Sequence, residues 1–241
     1  MKVAVLSDIH GNLEAFEEVL RDFEDTQPDR VVCLGDAVGY GPDPEAVVRL
    51  LQSHHIPSVL GNHEWALLHP AHLDWFNSSA RRSLELTREL LSLEALRTVT
   101  SWPTTRRVHD ALCVHGCPPD SVTRYLFEVS TEEIPVLFSL YEDPVCFVGH
   151  THLLHWVRWD GTRAVFGRFQ NDELKLDPSA RYIINVGSVG QPRDGDNRAK
   201  YVLWDTATET VFVRRVSYEI SKTVQKILSL GFPRFNADRL W

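Results

Sequence analysis

Seven side chains of the types that bind divalent metals recur along this 241-residue chain in five short strings. The strings are SDIHG, LGD, GNH, VHG and GHTH, and each directly follows a run of apolar, β-favouring residues. Because loops at the carboxyl edge of a sheet point the same way, these side chains are expected to converge. The candidate ligands are Asp8, His10, Asp36, Asn62, His115, His150 and His152.

The mixture of ligand types predicts a centre for two ions. Imidazoles mixed with carboxylate and amide oxygens suit Mn²⁺, Fe, Zn²⁺, Ni²⁺ or Co²⁺ better than Mg²⁺ or Ca²⁺. Asp36 can bridge two cations because its carboxylate has two oxygens, and ions held about 3.5–4 Å apart can share one hydroxide. Such ions also neutralise charge on a phosphate. The pattern therefore favours hydrolysis of a phosphoester by attack of a metal-bound hydroxide.

The first part of the chain alternates strand and helix patterns, which would place the strings at strand ends. Asn12 is a suitable N-cap for the first helix. This β-α-β-α-β order predicts parallel strands joined by right-handed crossovers. The predicted elements are strand 2–7, helix 12–24, strand 31–34, helix 45–53 and strand 56–60.

After GHTH the pattern changes to short strands with hairpin-like spacing, which predicts a largely antiparallel second sheet. These strands are residues 154–159, 163–166, 182–186, 201–205 and 210–216, followed by a helix at 219–229. No repeat or linker interrupts the chain, so we expect one domain over residues 1–241. A helical segment, 65–100, and a second segment, 118–143, could cap the site.

In this order, the five strings resemble the motifs of the calcineurin-like metallophosphoesterase superfamily. Three further strings, GDAVGYGPDP, NVGSVGQPRDGD and RRVSYE, are similar to its small bacterial and archaeal phosphodiesterase branch. The resemblance runs from Met1 to about Tyr218. It implies an α/β (α+β) fold of four layers, an αββα sandwich in which two mixed β-sheets lie face to face with helices outside.

The resemblance also assigns roles to the residues of the strings. One ion would take Asp8, His10 and His152, and the other Asn62, His115 and His150, with Asp36 shared. His63 matches the catalytic position that hydrogen-bonds the scissile phosphate and assists the leaving group. Glu64 resembles the acidic residue that often follows this histidine. Mn²⁺ is the metal that the resemblance leads us to expect.

Three further residues, Asn12, Tyr40 and Arg193, are candidate substrate contacts. Asn12 is mainly a helix cap whose first turn could face the substrate. Tyr40 could stack on a base or sugar, or pack within its own loop. Arg193 follows a glycine-rich turn and could meet a phosphate, or pair with Asp194 or Asp196 instead.

Composition limits the partners of the chain. The net charge is −8 and there is no long block of Lys or Arg, so no stable nucleic-acid complex is expected. No segment has the apolar length of a membrane span, and residues 1–6 are too short for the apolar core of a signal peptide. We therefore expect a cytoplasmic protein that binds a small-molecule phosphoester and no membrane. Oligomeric state is not encoded in any visible pattern.

Three functions compete. The first is hydrolysis of a small-molecule or nucleotide-like phosphodiester. The second is hydrolysis of phosphomonoesters or pyrophosphates, including dinucleoside polyphosphates and phosphoproteins. The third, of another class, is a non-catalytic protein-binding scaffold with the same fold. The full ligand set together with His63 favours an enzyme.

Overall fold

Two mixed sheets form the centre of the computed structural model, which describes residues 1–241. The strands are β1 (Lys2–Leu6), β2 (Arg30–Cys33), β3 (Thr105–Val108), β4 (Ala111–Val114), β5 (Val145–Val148), β6 (Leu154–Trp159), β7 (Ala164–Gly167), β8 (Glu173–Lys175), β9 (Arg181–Val186), β10 (Ala199–Asp205) and β11 (Thr210–Val216). One sheet has the order β2-β1-β10-β11-β8 and the other β3-β4-β5-β9-β6-β7. The β1–β2, β4–β5 and β5–β9 pairs are parallel and the rest antiparallel.

Eight α-helices accompany the sheets, with short 3-10 turns at Pro70–Trp75 and Leu126–Glu128. The helices are α1 (Leu13–Thr26), α2 (Pro44–Ser53), α3 (Asn62–Leu68), α4 (Ser78–Leu90), α5 (Leu93–Thr100), α6 (Ile134–Ser139), α7 (Ile220–Ser229) and α8 (Arg234–Asp238). The predicted cap of α1 is confirmed, because the Asn12 side chain accepts a hydrogen bond from the backbone N–H of Ala15. None of the helices combines the length and apolar character needed to cross a membrane.

Three apolar layers are buried in the fold. One lies between the helices and the five-stranded sheet, one between the two sheets, and one on the outer face of the six-stranded sheet. Successive side chains of a strand point to opposite faces. Along β1, accordingly, Ala4 packs toward the helices while Val3 and Val5 pack against the second sheet. On the outer face of the six-stranded sheet, Ile134 and Phe138 of α6 cover residues of β4, β5, β6 and β9. The predicted architecture of two mixed sheets flanked by helices is confirmed.

The predicted strand at 56–60 is wrong. This segment runs beside β2 but makes only one parallel bridge, between Cys33 and Ser58. The Cys33 N–H donates to the Pro57 carbonyl at 2.9 Å, and the Cys33 carbonyl accepts from the Val59 N–H at 3.0 Å. Pro57 has no N–H of its own to extend the ladder. The segment nevertheless delivers Asn62 to the same edge of the sheets.

The predicted separate antiparallel sheet of the C-terminal strands is also wrong. Strands β6, β7 and β9 join β3, β4 and β5, whereas β8, β10 and β11 join β1 and β2. Alternation along a strand shows which face is apolar but not which strand lies beside it. β10 is buried along nearly its whole length and fits between β1 and β11, where both of its edges are hydrogen-bonded.

Candidate metal centre

All seven predicted ligands are buried and converge where the loops after β1, β2, β4 and β5 meet the start of α3. Their donor atoms fall into groups whose members lie within 4.8 Å of one another: Asp8, His10 and His152 in one group, and Asp36, His115 and His150 in another. A third group joins His10, Asp36 and His63. The seventh side chain, Asn62, places its Oδ1 3.0 Å from Nε2 of His115.

Each of the four imidazoles donates one ring N–H to a main-chain carbonyl. The bonds join His10 Nδ1 to Val38 (3.1 Å), His115 Nδ1 to Leu34 (2.8 Å), His150 Nε2 to Thr123 (3.1 Å) and His152 Nδ1 to Gln191 (2.6 Å). A carbonyl oxygen only accepts hydrogen bonds, so the proton of each ring is fixed on the nitrogen beside it. The other nitrogen is left with its lone pair directed at the centre, as in known metal-binding histidines.

These ring nitrogens face each other in two places. Nε2 of His10 lies 3.1 Å from Nε2 of His152, and Nε2 of His115 lies 3.1 Å from Nδ1 of His150. Two facing nitrogens can share no more than one proton, and a cation bound by both would take the place of that proton. The chemistry of these donors therefore fits a divalent ion at each pair.

The two carboxylates, Asp8 and Asp36, are held in the same way. One oxygen of each accepts a backbone N–H, and the other oxygen faces the centre. Asp8 accepts the N–H of His150 on Oδ2 (3.0 Å), and its buried Oδ1, which has no hydrogen-bond partner, lies 3.2 Å from Nε2 of His152. Asp36 accepts the N–H of His63 on Oδ1 (2.9 Å).

Only Oδ2 of Asp36 is left to serve both ions. It lies 3.4 Å from Nε2 of His115 and 3.7 Å from Nε2 of His10, between the two groups. Oδ1 accepts the backbone N–H of His63 at the start of α3, so Oδ2 is the Asp36 oxygen that faces both ligand groups. Asp36 would be the ligand shared by the two ions.

Burial and charge shift the pKa values of the ligands in a consistent pattern. Burial lowers the pKa of His150 to about 3 and that of His152 to about 4, which keeps both rings neutral. Burial opposes protonation of His115 too, but the Asp36 carboxylate outweighs it and raises the pKa of His115 to about 9. Burial alone would raise the pKa of Asp36, but the neighbouring imidazoles of His115 and His63 hold it well below its ordinary value. An ion that binds at His115 would thus displace a proton.

His63 lies beside the ligands in the wall of the cavity. Its ring packs between Tyr40 and Phe76, with centroid distances of 4.6 and 5.4 Å, and its Nε2 is 3.9 Å from Oδ2 of Asp36. Nδ1 is buried against Gly39, where an added Cβ would lie 2.0 Å away, so only glycine admits the ring at this point. Burial lowers the pKa of His63 to about 3.

Glu64 ties two of the ligand loops together, a role that the resemblance did not specify. Its Oε2 accepts the N–H groups of Asp36 (2.9 Å) and Gly61 (3.0 Å), and its Oε1 accepts that of Val38 (3.1 Å). Burial and the charge of Asp36 raise the pKa of Glu64 to about 8, and the three N–H donors oppose this shift. Because both oxygens accept from amides, the geometry is that of a carboxylate.

The ligand loops hold several residues in the left-handed backbone region. L-residues adopt this region at a cost of about 1–2 kcal/mol, and such strain gathers at functional sites. Hydrogen bonds between loops hold the conformation, for example from the N–H of His10 to the Asp36 carbonyl at 2.9 Å. The ligands concerned, with their φ values, are Asp8 (55°), His10 (52°), Asp36 (50°), His150 (67°) and His152 (60°).

A cavity of about 190 Å³ opens over the ligands. It receives side chains from both segments predicted as cap elements. The Tyr125 ring stacks on the His150 ring, with 3.7 Å between their centroids. The sequence predicted that the segment 118–143 could cap the site, but no sequence pattern indicated this contact. The cavity is lined by Asp36, Tyr40, Asn62, His63, Trp65, Trp75, Phe76, Asn77, Ala80, Thr123, Tyr125, His150, His152 and Arg193.

Of the predicted substrate contacts, Tyr40 and Arg193 line this cavity and Asn12 does not. Asn12 uses its Oδ1 to cap α1 and its Nδ2 to reach the Gly190 carbonyl (2.9 Å) and the Tyr218 hydroxyl (3.2 Å). No polar atom of this side chain is left for a substrate, so we do not retain it as a contact.

The glycine-rich turn after β9 supports the metal loops rather than cradling an anion. Its Val189 and Gly190 N–H groups donate to the carbonyls of Ser7 and Asp8 at 3.0 and 2.9 Å. A Cβ at Gly190 would come within 1.7 Å of the Ile9 carbonyl oxygen, so the turn packs directly on the first motif. The backbone amides of Val189 and Gly190 are thus not free to bind a phosphate.

The pairing of Arg193 with Asp194 or Asp196 is wrong. Asp194 pairs with Lys200 at 3.0 Å, and Asp196 with Arg198 and Arg215. The Arg193 guanidinium turns instead toward the cavity and the Tyr40 ring, 5.9 Å from its centroid.

Two sheets, a cluster of seven buried ligands and a neighbouring histidine together define a metallophosphoesterase. The chain belongs to the calcineurin-like phosphoesterase superfamily, whose domain model matches residues 1–209. It is 33% identical over 244 residues to an uncharacterized protein of Methanocaldococcus jannaschii, covering 99% of this chain and 97% of that one.

Two solved structures share the fold over the whole chain. The crystal structure of a metallophosphoesterase from Sphaerobacter thermophilus is 37% identical, with a TM-score of 0.83 over 100% of this chain and 98% of that one. A hypothetical protein from Pyrococcus horikoshii OT3, 19% identical, superposes with a TM-score of 0.79 over 100% and 97% of the two chains. The second likeness concerns the fold alone.

Proposed function

We propose that this protein hydrolyses small, nucleotide-like phosphodiesters with two divalent ions held by the seven converging ligands, Mn²⁺ being the ion of first choice. The observation that carries the proposal is the two pairs of facing imidazole nitrogens, one pair on each side of Oδ2 of Asp36. Buried imidazoles and a carboxylate that converge in this way suit two neighbouring cations.

The ions, when bound, supply an activated nucleophile and neutralise charge on the phosphate. The chain supplies orientation. Carbonyl groups fix which nitrogen of each ring is free, and backbone amides fix the two carboxylates. Every ligand is therefore held in position before substrate arrives, and no reorganisation is needed at the moment of reaction.

His63 is the residue placed to handle the proton of the leaving group. Its Nε2 is the ring nitrogen near Asp36, whereas Nδ1 is buried against Gly39. A proton held on Nε2 can be donated to the departing oxygen, or can stabilise its charge by a hydrogen bond. Both roles place His63 in the catalytic step.

The aromatic side chains at the rim of the cavity favour an organic substrate that carries a planar ring, such as a nucleotide base. Trp65, Trp75 and Phe76 come from the segment 65–100, and Tyr125 comes from 118–143. Trp75 is 68% exposed, so its ring is accessible to a substrate in the cavity. Stacking of a base on an aromatic ring contributes about 1–3 kcal/mol. We propose that both segments cap the site within a single domain of residues 1–241.

The test is a substrate panel assayed with saturating Mn²⁺. Bis(4-nitrophenyl) phosphate, 4-nitrophenyl phosphate, cyclic nucleotides and dinucleotides separate diesterase from monoesterase activity, and the metal content is measured on the same samples. We expect two ions per chain and faster cleavage of diesters. Preference for the monoester would support the second function. Two bound ions with no hydrolysis of any compound would support the scaffold, and no bound ions would refute the metal centre.

A further inference from the structure

Two arginine side chains at the edge of the cavity have no acidic partner. Nη2 of Arg193 donates to Oε1 of Gln191 at 3.0 Å, and Nη1 of Arg239 donates to the same oxygen at 3.4 Å. Nε of Arg193 is buried and makes no hydrogen bond. Two cations thus share a single neutral acceptor.

Three carboxylates that neighbour these arginines in the sequence pair with other cations. These pairs are Asp194 with Lys200 (3.0 Å), Asp196 with Arg215 (3.0 Å) and Asp238 with Arg234 (3.6 Å). The chain has 33 acidic and 25 basic residues, so acidic partners are not scarce. Leaving two guanidiniums together and unneutralised costs free energy that an arriving anion would recover.

The arginine pair adjoins the candidate metal centre. Arg193 lines the same cavity as Asp36 and His63, and the Arg193 guanidinium lies 5.9 Å from the centre of the Tyr40 ring. Burial and the charge of Arg193 lower the pKa of Arg239, as expected of two cations in proximity. Since Arg193 lines the same cavity as the candidate ligands Asp36 and His150, an anion bound by Arg193 would share that cavity with the phosphate at the ions.

We propose that Arg193 and Arg239 bind the second phosphate of a substrate that carries a phosphoanhydride, such as a nucleoside diphosphate ester. This inference rests on the proposed function and narrows its substrate class. Guanidinium groups recognise phosphate oxygens by paired hydrogen bonds, and two of them match the charge of a terminal or bridging phosphate. Arg239 lies beyond residues 1–209, the span of the family match.

The experiment compares two chromogenic substrates that differ by one phosphate, the 4-nitrophenyl esters of thymidine monophosphate and thymidine diphosphate. The wild-type protein with saturating Mn²⁺ should have the higher kcat/KM on the diphosphate. Arg239→Gln and Arg193→Gln should each lower the ratio of the two kcat/KM values by about tenfold or more. Arg97→Gln is the matched control, since Arg97 is exposed on helix α5 outside the cavity, and it should leave the ratio unchanged.

A binding measurement gives a readout apart from turnover. Calorimetric affinities for methylenediphosphonate and methylphosphonate should show the same selectivity, and both arginine variants should reduce it. Thermal unfolding checks that each variant is folded. Arg239 is exposed at the surface, so its variant should fold even if Arg193→Gln does not.

The outcomes separate this inference from the proposed function. Hydrolysis of the monophosphate ester without preference for the diphosphate, or equal effects of the variants on both substrates, overturns the arginine subsite and leaves the diesterase intact. Absence of hydrolysis of either ester by ion-loaded protein overturns both. A loss of selectivity confined to the two cavity arginines supports the subsite.

Discussion

At the scale of the residue, main-chain carbonyls select which nitrogen each metal-facing histidine offers. Three rings present Nε2, but His150 presents Nδ1 because its Nε2 is bonded to the Thr123 carbonyl. Tyr125, stacked on the same ring at 3.7 Å, holds its plane. The geometry of the centre is therefore set as much by two residues of the segment 118–143 as by the ligands themselves.

The role of His63 can be tested apart from metal binding. His63 lines the cavity but belongs neither to the group of Asp8, His10 and His152 nor to the group of Asp36, His115 and His150. We predict that His63→Ala keeps two ions and lowers kcat by about 10²–10⁴-fold, the usual effect of removing a positioned acid. Steady-state kinetics and metal analysis of the same preparation measure this. His155→Ala, at a half-buried position outside the cavity, is the control. Full turnover with both ions bound would exclude His63 from the reaction.

Sequence patterns predicted the identities of the ligands and their convergence, because five polar strings follow five apolar runs. They could not predict which oxygen of Asp36 faces the ions, since this depends on the His63 N–H across a loop. Arg239 had no signal, because a lone arginine near the end of a chain is ordinarily a solvated residue. Its relation to Arg193 arises only where both meet Gln191.

At the scale of the element, the 3-10 turn Pro70–Trp75 is the part of the cap that reaches furthest into solvent. Trp75 packs on His72 and Trp65, with ring centroids 4.4 and 5.8 Å away, and lines the cavity. The turn therefore presents a preformed aromatic surface rather than a flexible loop.

We predict that Trp75→Ala raises KM for the 4-nitrophenyl ester of thymidine monophosphate by about five- to twentyfold, the equivalent of one lost stacking contact of about 1–2 kcal/mol. The kcat should change little, because Trp75 contacts none of the ligands. Phe166→Ala, on β7 with the side chain 52% exposed, is a control for loss of a surface aromatic group. An unchanged KM would show that the rim does not bind the base.

A partly buried polar contact joins helix α1 to the five-stranded sheet. Asp22 accepts two hydrogen bonds from Arg214 (3.0 and 2.7 Å) and one from the Tyr201 hydroxyl (2.7 Å). Burial opposes ionisation of Asp22, but Arg214 and Tyr201 outweigh it and lower the pKa of this carboxyl. The ionised form therefore stabilises the fold above the pKa of the unfolded chain, about 3.9, and this stabilisation is lost as the pH falls through the lower folded value.

We predict that Asp22→Asn lowers the free energy of unfolding by about 1–2 kcal/mol at pH 7, since charged hydrogen bonds are replaced by neutral ones. The difference in the free energy of unfolding between the two proteins should become smaller below about pH 4, because the Asp22 carboxyl of the unfolded wild-type chain then becomes protonated. Urea unfolding at several pH values measures this. Asp25→Asn, exposed on the same helix, should show neither effect. A deficit independent of pH would mean that packing, not charge, fastens α1.

At the scale of the whole molecule, two sheets built from interleaved parts of the chain bring distant loops to one point. β10 lies beside β1 although about 200 residues separate them, and the turn before it supports the Asp8 loop through Ser188 and Gly190. Local periodicity does not encode such a pairing, and this is why most of the strands were predicted but their partners were not. Contacts between distant parts of the chain consequently hold the ligand loops, which couples the centre to the fold.

This coupling predicts that bound ions stabilise the entire fold. Five ligands adopt the left-handed region, so the ion-free chain carries local strain at the candidate centre. At an ion concentration 100 times the dissociation constant, one site adds about 2.7 kcal/mol to the free energy of unfolding. Chelation should therefore lower Tm by several degrees, and Mn²⁺ should restore it with a dependence on concentration. Calorimetry of wild type and His10→Ala tests the origin of this shift, since the variant should lose much of it. Equal shifts in both proteins would place the stabilising ions elsewhere on the surface.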